Sequence, residues 1–191
     1  AALYRALLMP TQHSDVSGDY RGHDGQVHRL RGRYLSDLSL WDSYRTLHPL
    51  YALLWPATQE EVLASLFAMQ REGGFFPRWP LAGGDSGTMI GQAADILFAE
   101  GYLKGLRSDD DQARYEALRA AALDDKAPAR GRGGRDGSEA YQRLGYAPAS
   151  QGSAVSLTLE WAHDDLALAG LAAALQHGAD AAALRARATG Y

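Results

Sequence analysis

Helical periodicity recurs along nearly all of this chain, and no stretch alternates apolar and polar residues as a half-buried strand does. In SLWDSYRTLHPLYALLW, Leu40, Tyr44, Leu47 and Tyr51 fall at helical spacing, with Pro49 far enough inside to bend or break the helix. In TQEEVLASLFAMQREGG, Thr58 and Glu61 form a capping box, Val62, Leu66 and Met69 share a face, and Gly73-Gly74 supplies the stop. Further helices are expected over 89–104, 109–123 with Ser108 as cap, 137–144, 153–176 and about 180–188. The opening AALYRALLMP is already helical in pattern. The pattern predicts an all-α chain of antiparallel hairpins joined by unequal loops, without tandem repeats.

Composition narrows what such a chain can do. At 191 residues, 46% hydrophobic and 22% charged, it can bury a proper core and reads as one segment spanning residues 1–191. No run of about eighteen apolar residues occurs, so no membrane span is expected. A net charge of -4 and a pI near 5.8 give no electrostatic footprint for nucleic acid. The basic run RGRGGR at 130–135 is short and reads as a solvated loop. With zero cysteines there is no disulfide framework, thiol nucleophile or thiolate metal site. The first residue is not Met, and AAALRARATGY ends without a clear last element, so the chain is expected to be a piece of something longer.

The unusual residues lie in the loops. Residues 10–38 lack helical period, and structureless segments of that length inside compact domains tend to be functional. They carry His13, Asp15, Asp19, Arg21, His23, Asp24 and His28, but no spacing there fixes a metal geometry, and such residues commonly pair across a surface loop. RWPLAGGDSGTMIG, at 78–91, sets one carboxylate, Asp85, among Gly83, Gly84, Gly87 and Gly91, where backbone can approach a ligand closely. The bland alternative is a helix connection with a solvated turn acid. A third loop covers 124–136, and in an antiparallel helical array alternate loops converge on one end.

Polar residues inside the helices face the same choice. Trp41, Asp42, Arg45 and His48 bring an aromatic plane, a carboxylate, a guanidinium and an imidazole within two turns. They read either as an Asp42–Arg45 ion pair beside a core tryptophan or as a carbohydrate platform, with the ring for a sugar's C–H face and the charges for its hydroxyls. Glu160 and Asp164-Asp165 in LEWAHDDLALA are ion-pair or cap residues by default and pocket-lining by hypothesis.

SDVSGDYRGHDG, LSLWDSYRTLHPLYALL, GFFPRWPLAGGDSGTMIG, GYLKG, AYQRLGYAPAS and VSLTLEWAHDDLALA, in this order and spacing, resemble the catalytic domain of glycoside hydrolase family 92, the exo-α-mannosidases. The Leu-Trp-Asp-x-Tyr-Arg-x-Leu-His-Pro helix and the Trp-Pro-Leu-Ala loop are the most specific parts. The resemblance implies an N-terminal β-sandwich followed by an α/α toroid, of which this chain is the central part. It also implies a calcium ion that contacts the sugar, hydrolysis of terminal α-mannosides with inversion, and secretion or a periplasmic location.

The resemblance also implies site residues. The family's general acid is a Glu in an Asn-Glu-Thr-Gly setting, and Gly84, Asp85, Ser86 and Gly87 occupy that place here. Asp85 thus holds the proton donor's position, one methylene and roughly 1.5 Å shorter. Either the backbone moves inward, or activity is low, or the leaving group, a phosphate for instance, needs little protonation. Asp24, Trp41, Asp42, Arg45, His48, Trp79, Arg135 and Asp136 are expected to bind the sugar. Arg135 and Asp136 stand where α-1,2-cleaving members commonly carry His-Glu, which leaves the linkage open. The general base and most calcium ligands are expected beyond this chain. The runner-up reading is a catalytically impaired mannoside binder or a structural toroid segment.

Overall fold

The computed structural model describes residues 2–124 and 133–190. Its helices are α1 (Ala2–Ala6), α2 (Leu40–Ser43), α3 (Leu47–Leu54), α4 (Pro56–Gly73), α5 (Ala93–Leu103), α6 (Asp111–Leu123), α7 (Glu139–Leu144), α8 (Ala154–Ala174) and α9 (Gly178–Ala188). None among the described residues is long and apolar enough to cross a membrane. The helical reading is right in class. The expectation of no strands is corrected by three antiparallel ribbons: β1 (Thr11–Gln12) with β4 (Leu35–Ser36), β2 (Asp19–Arg21) with β3 (Val27–Arg29), and β5 (Pro80–Leu81) with β6 (Gly84–Asp85). Strands of two or three residues are too short to show alternation.

Two helix signals resolve differently from their sequence reading. The break in the Trp41 helix falls at Tyr44–Thr46, upstream of Pro49. Pro49 then lies in the first turn of α3, where its missing N–H costs no intrahelical bond. The helix after it starts at Pro56, two residues before Thr58, and no side chain caps it. Glu61 is drawn off to Arg33, whose backbone N–H and guanidinium both donate to it. The stop is as expected: Gly74 adopts φ 81 and its N–H bonds to Gln70 O at 2.7 Å.

The main core joins the first loop to the helices, with Tyr34, Leu35 and Leu38 beside Leu66, Met69, Phe76, Leu97, Leu118 and Leu168. A satellite cluster of Tyr141, Ala147 and Trp161 lies under the third loop. α8 packs against both α5 and α9. These contacts draw the loops together. Leu38 N–H donates to Pro80 O at 3.1 Å, and Gly134 N–H donates to Phe76 O at 3.3 Å. Residues 125–132, which include the first half of the basic run, lie outside the described residues.

Candidate active site

The glycine loop folds back as the β5–β6 ribbon, with Pro80 opposite Asp85 and Leu81 opposite Gly84. Its turn is Ala82-Gly83. Ala82 takes φ 51, a left-handed conformation that disfavours a Cβ. The first loop holds this turn from both sides: Ser36 Oγ donates to Ala82 O at 2.9 Å, and Ala82 N–H donates to Asp37 Oδ1 at 3.2 Å. Downstream, the Arg78 guanidinium donates to Gly87 O and Met89 O. The loop is therefore tied along its length by its own backbone carbonyls and by the 36–38 segment.

That binding orients Asp85. Trp79 N–H donates to Asp85 Oδ1 at 2.9 Å, and Trp79 O accepts the Ser86 N–H at 3.0 Å. Asp85 Oδ2 is buried with no partner among the described residues. Burial pushes the carboxyl's pKa above the ordinary aspartate value, against the pull of the Trp79 N–H and the Arg78 charge. A half-buried acid with one fixed and one unspent oxygen has the makings of a proton donor.

Just after α2, the Arg45 guanidinium lies 4.5 Å from the ring centroids of both Trp41 and Tyr44 and pairs with Glu160 at 3.6 Å. The Asp42–Arg45 pair, one of the two readings of this helix, is not found among the described residues, and Asp42 accepts a hydrogen bond from Ser39 Oγ. Trp41 Nε1 is buried without a partner among the described residues. Asp24 pairs with His28 at 2.9 Å in the first loop, and the Gln26 backbone N–H on it holds its carboxyl below the usual range. No hydrogen bond or ion pair among the described residues joins Asp24 or Asp85 to the Trp41–Arg45 ledge.

Two expected sugar contacts are committed elsewhere. His48 is 1% exposed, with Nε2 bonded to Ser43 Oγ and Nδ1 to Gln59 Oε1, each at 2.9 Å, and burial pushes its pKa down to about 4. It is a neutral core histidine that braces α2 and α3 against α4. Arg135 is 3% exposed rather than solvated. Its Nε and Nη2 donate to Asp95 Oδ2, and its Nη1 donates to Asp165 Oδ1 at 2.8 Å. Asp165 also takes Arg187 on both oxygens and the Tyr141 hydroxyl. Asp136, beside it, is exposed.

Sequence reasoning missed Asp95, which reads as an ordinary first-turn helix acid, together with Tyr141 and Arg187. Asp164, flagged only as part of an acidic pair, accepts the Gln92 N–H at 2.7 Å and has a free, buried Oδ1. Glycine spacing was the available signal. A Cβ on Gly134 would lie 2.5 Å from Gly91 O, so the third loop seats directly on the end of the glycine loop.

A helical scaffold that carries a half-buried carboxylic acid on a clamped loop and an aromatic–guanidinium ledge on a helix is compatible with the class of acid-assisted glycoside hydrolases. The chain belongs to glycosyl hydrolase family 92: the family's catalytic-domain profile matches residues 1–191. It is similar to a family GH92 α-mannosidase of Bacteroides thetaiotaomicron solved with mannoimidazole, at 29% identity and a TM-score of 0.89 over 98% of this chain and 24% of that one. It is also similar to a family GH92 inverting mannosidase of Bacteroides thetaiotaomicron VPI-5482, at 33% identity and a TM-score of 0.86 over 99% of this chain and 26% of that one. The chain thus spans about a quarter of the length of these structures. No curated protein sequence matches it significantly.

Proposed function

We propose that this chain is the central part of the catalytic α/α toroid of an exo-acting α-mannosidase, and that Asp85 is its general acid. The observation that carries the reading is the Asp85 carboxyl, with Oδ1 held by the Trp79 N–H and Oδ2 buried and unspent. In inverting hydrolysis one carboxylic acid protonates the departing glycosidic oxygen while a base activates water on the opposite face of the sugar. Oδ2 is the oxygen free to carry that proton. Burial raises the pKa and so keeps the proton on at pH values where an ordinary aspartate has lost it. The clamped Ala82 turn fixes the ribbon that bears Asp85, which matters more for a short side chain because misplacement by about 1 Å can cost on the order of a hundredfold in rate.

The Trp41–Arg45 ledge gives a terminal mannose a ring face and fixed donors. The general base, the N-terminal β-sandwich and the remaining toroid helices belong to the rest of the full-length protein in this proposal. So does calcium: no group of three or more His, Asp or Glu side chains among the described residues could hold a metal ion, and no step here is routed through one. The substrates are α-mannosides such as mannose-containing glycans. The test is Asp85→Asn in the full-length protein. Hydrolysis of an α-linked mannobiose is expected to fall roughly 10²–10⁴-fold with mannose affinity retained, since the amide keeps the shape but has no acidic proton. Unchanged turnover would assign the acid to another residue.

A further inference from the structure

Helix α8 carries a stripe of three buried residues, Trp161, Asp164 and Asp165, at i, i+3 and i+4, with 0%, 1% and 0% exposure. Each has a polar group spent on a loop. The Trp161 indole N–H donates to Gly134 O at 2.9 Å, Asp164 Oδ2 accepts the Gln92 N–H at 2.7 Å, and Asp165 Oδ1 accepts Arg135 Nη1 at 2.8 Å. Two of these bonds hold the third loop. The remaining one, from Asp164, holds the downstream end of the glycine loop. A Cβ on Gly91, at φ 73, would meet Glu160 Cβ at 3.0 Å and Asp164 Oδ2 at 3.3 Å, so α8 and the loop are in direct contact there. The Gln92 side chain is also held locally, donating to Asp95 Oδ1 at 2.9 Å in the first turn of α5.

The glycine loop therefore has two anchors. Upstream, Ser36 and Asp37 hold the Ala82 turn. Downstream, Asp164 holds Gln92, and Asp85 lies between them. The anchor at Asp164 is also the point where the third loop seats, through Gly134 against Gly91 and Gln92. We propose that Asp164 is a positioning residue: by gripping the Gln92 N–H from α8 it sets where the loop delivers the Asp85 carboxyl. This rests on the reading of Asp85 as general acid.

Asp164 touches no substrate in this scheme, being 1% exposed. Burial pushes its pKa well above the ordinary range, which favours the neutral form of the side chain that grips Gln92. Asparagine is the close mimic of that form. It keeps one oxygen for the Gln92 N–H and replaces the hydroxyl by an amide NH2.

The experiment uses the full-length protein and two substrates, an α-linked mannobiose whose leaving group needs a proton and a dinitrophenyl α-mannoside whose leaving group does not. For Asp164→Ala, kcat on the mannobiose is expected to fall at least tenfold more than kcat on the dinitrophenyl substrate, with KM little changed. Asp164→Asn is expected to restore both activities. Equal losses on the two substrates, or no loss on the mannobiose, would overturn the proposal, as would failure of Asp164→Asn to rescue. Should Asp164→Ala, which leaves the Gln92 N–H without its acceptor, not fold, Gly91→Ala disturbs the same joint from the loop side while keeping the Asp164 carboxyl. The same split between substrates is expected for it, and its absence overturns the proposal. Asp85→Asn run alongside separates the two claims: if it lacks the split, the general-acid reading falls and takes this inference with it. If Asp85→Asn shows the split and the Asp164 and Gly91 variants do not, only the positioning role fails.

Discussion

The glycine loop and the third loop each withdraw an ionisable side chain, in part or in full, from solvent, and they treat it in opposite ways. Arg135 in the third loop bonds Asp95 through two nitrogens and Asp165 through another. Asp85 in the glycine loop has one oxygen on the Trp79 N–H and the other without a hydrogen-bond partner among the described residues. Family membership would have allowed either residue to meet the substrate, although Arg135 is buried and Asp85 only half-buried. What separates them is bonding capacity left over: Arg135 is fixed as scaffold by two carboxylates, whereas Asp85 keeps an oxygen in reserve.

The acids around Arg135 show the same rule in finer grain. Three buried carboxyls, Asp95, Asp164 and Asp165, differ in their contact with the two guanidiniums Arg135 and Arg187. Asp165 contacts both, and although burial alone would raise its pKa, the charges of Arg135 and Arg187 pull it below the ordinary value. Asp95 contacts Arg135 alone, and burial outweighs that attraction to raise its pKa. Asp164 contacts neither, and its pKa is raised well above the ordinary value. Direct guanidinium contact, not depth, orders the three.

Removing the shared cation is the strongest way to break the comparison. Arg135→Met leaves Asp95 and Asp165 buried without their common partner, which is expected to cost about 3–5 kcal/mol. Arg135→Lys should recover little, because a point charge cannot span two carboxylates as the planar guanidinium does. Thermal unfolding of the full-length protein checks this. A variant that melts like the parent would show that the third loop is not held by Arg135.

Arg45 tests the other side with a smaller stability effect. Its side chain is 43% exposed and its pair with Glu160 is long, so Arg45→Ala should cost under about 1 kcal/mol of stability. Loss of its charge-assisted contacts to sugar hydroxyls should instead raise KM for mannosides by roughly 10–100-fold. If melting falls as far as in Arg135→Met while KM holds, Arg45 belongs to the scaffold and the ledge is not a sugar site.

What was legible in the sequence follows the range of the interaction that decides each feature. α4 and α8 are long and periodic, and their local pattern suffices. The capping box failed because Glu61 bonds Arg33, 28 residues earlier, and no local motif registers so distant a competitor. Asp85 was legible through its setting, the glycines and Trp79 whose N–H holds it. Asp95 was not, because its role depends on Arg135, 40 residues away and across a loop. Arg135 looked solvated for the same reason: the glycine-rich stretch around it gives no sign of the two helices that supply its acids. The ribbons at 80–85 and 19–29 escaped because pairing of so few residues is set by the turn and the docking surface, not by alternation.

The smallest expected effect concerns Asp164 and pH. Its folded pKa is raised, so below the ordinary aspartate value both the folded and the unfolded chain hold its proton and the group is neutral in its effect. As pH rises through the unfolded value, the unfolded chain releases the proton while the folded chain keeps it. Stability therefore declines with rising pH until the folded pKa is reached. Asp165 has the opposite sign: its contribution is present above the unfolded value and is lost as pH falls through its lowered folded pKa. Asp164→Asn abolishes the first titration, leaves the second intact, and keeps an oxygen for the Gln92 N–H. The melting temperature of the full-length variant relative to the parent is therefore expected to rise, by about a degree or two, between about pH 4 and about pH 7. A difference that stays flat across that range would mean that Asp164 is ionised in the folded protein, and that lack of guanidinium contact does not set its state.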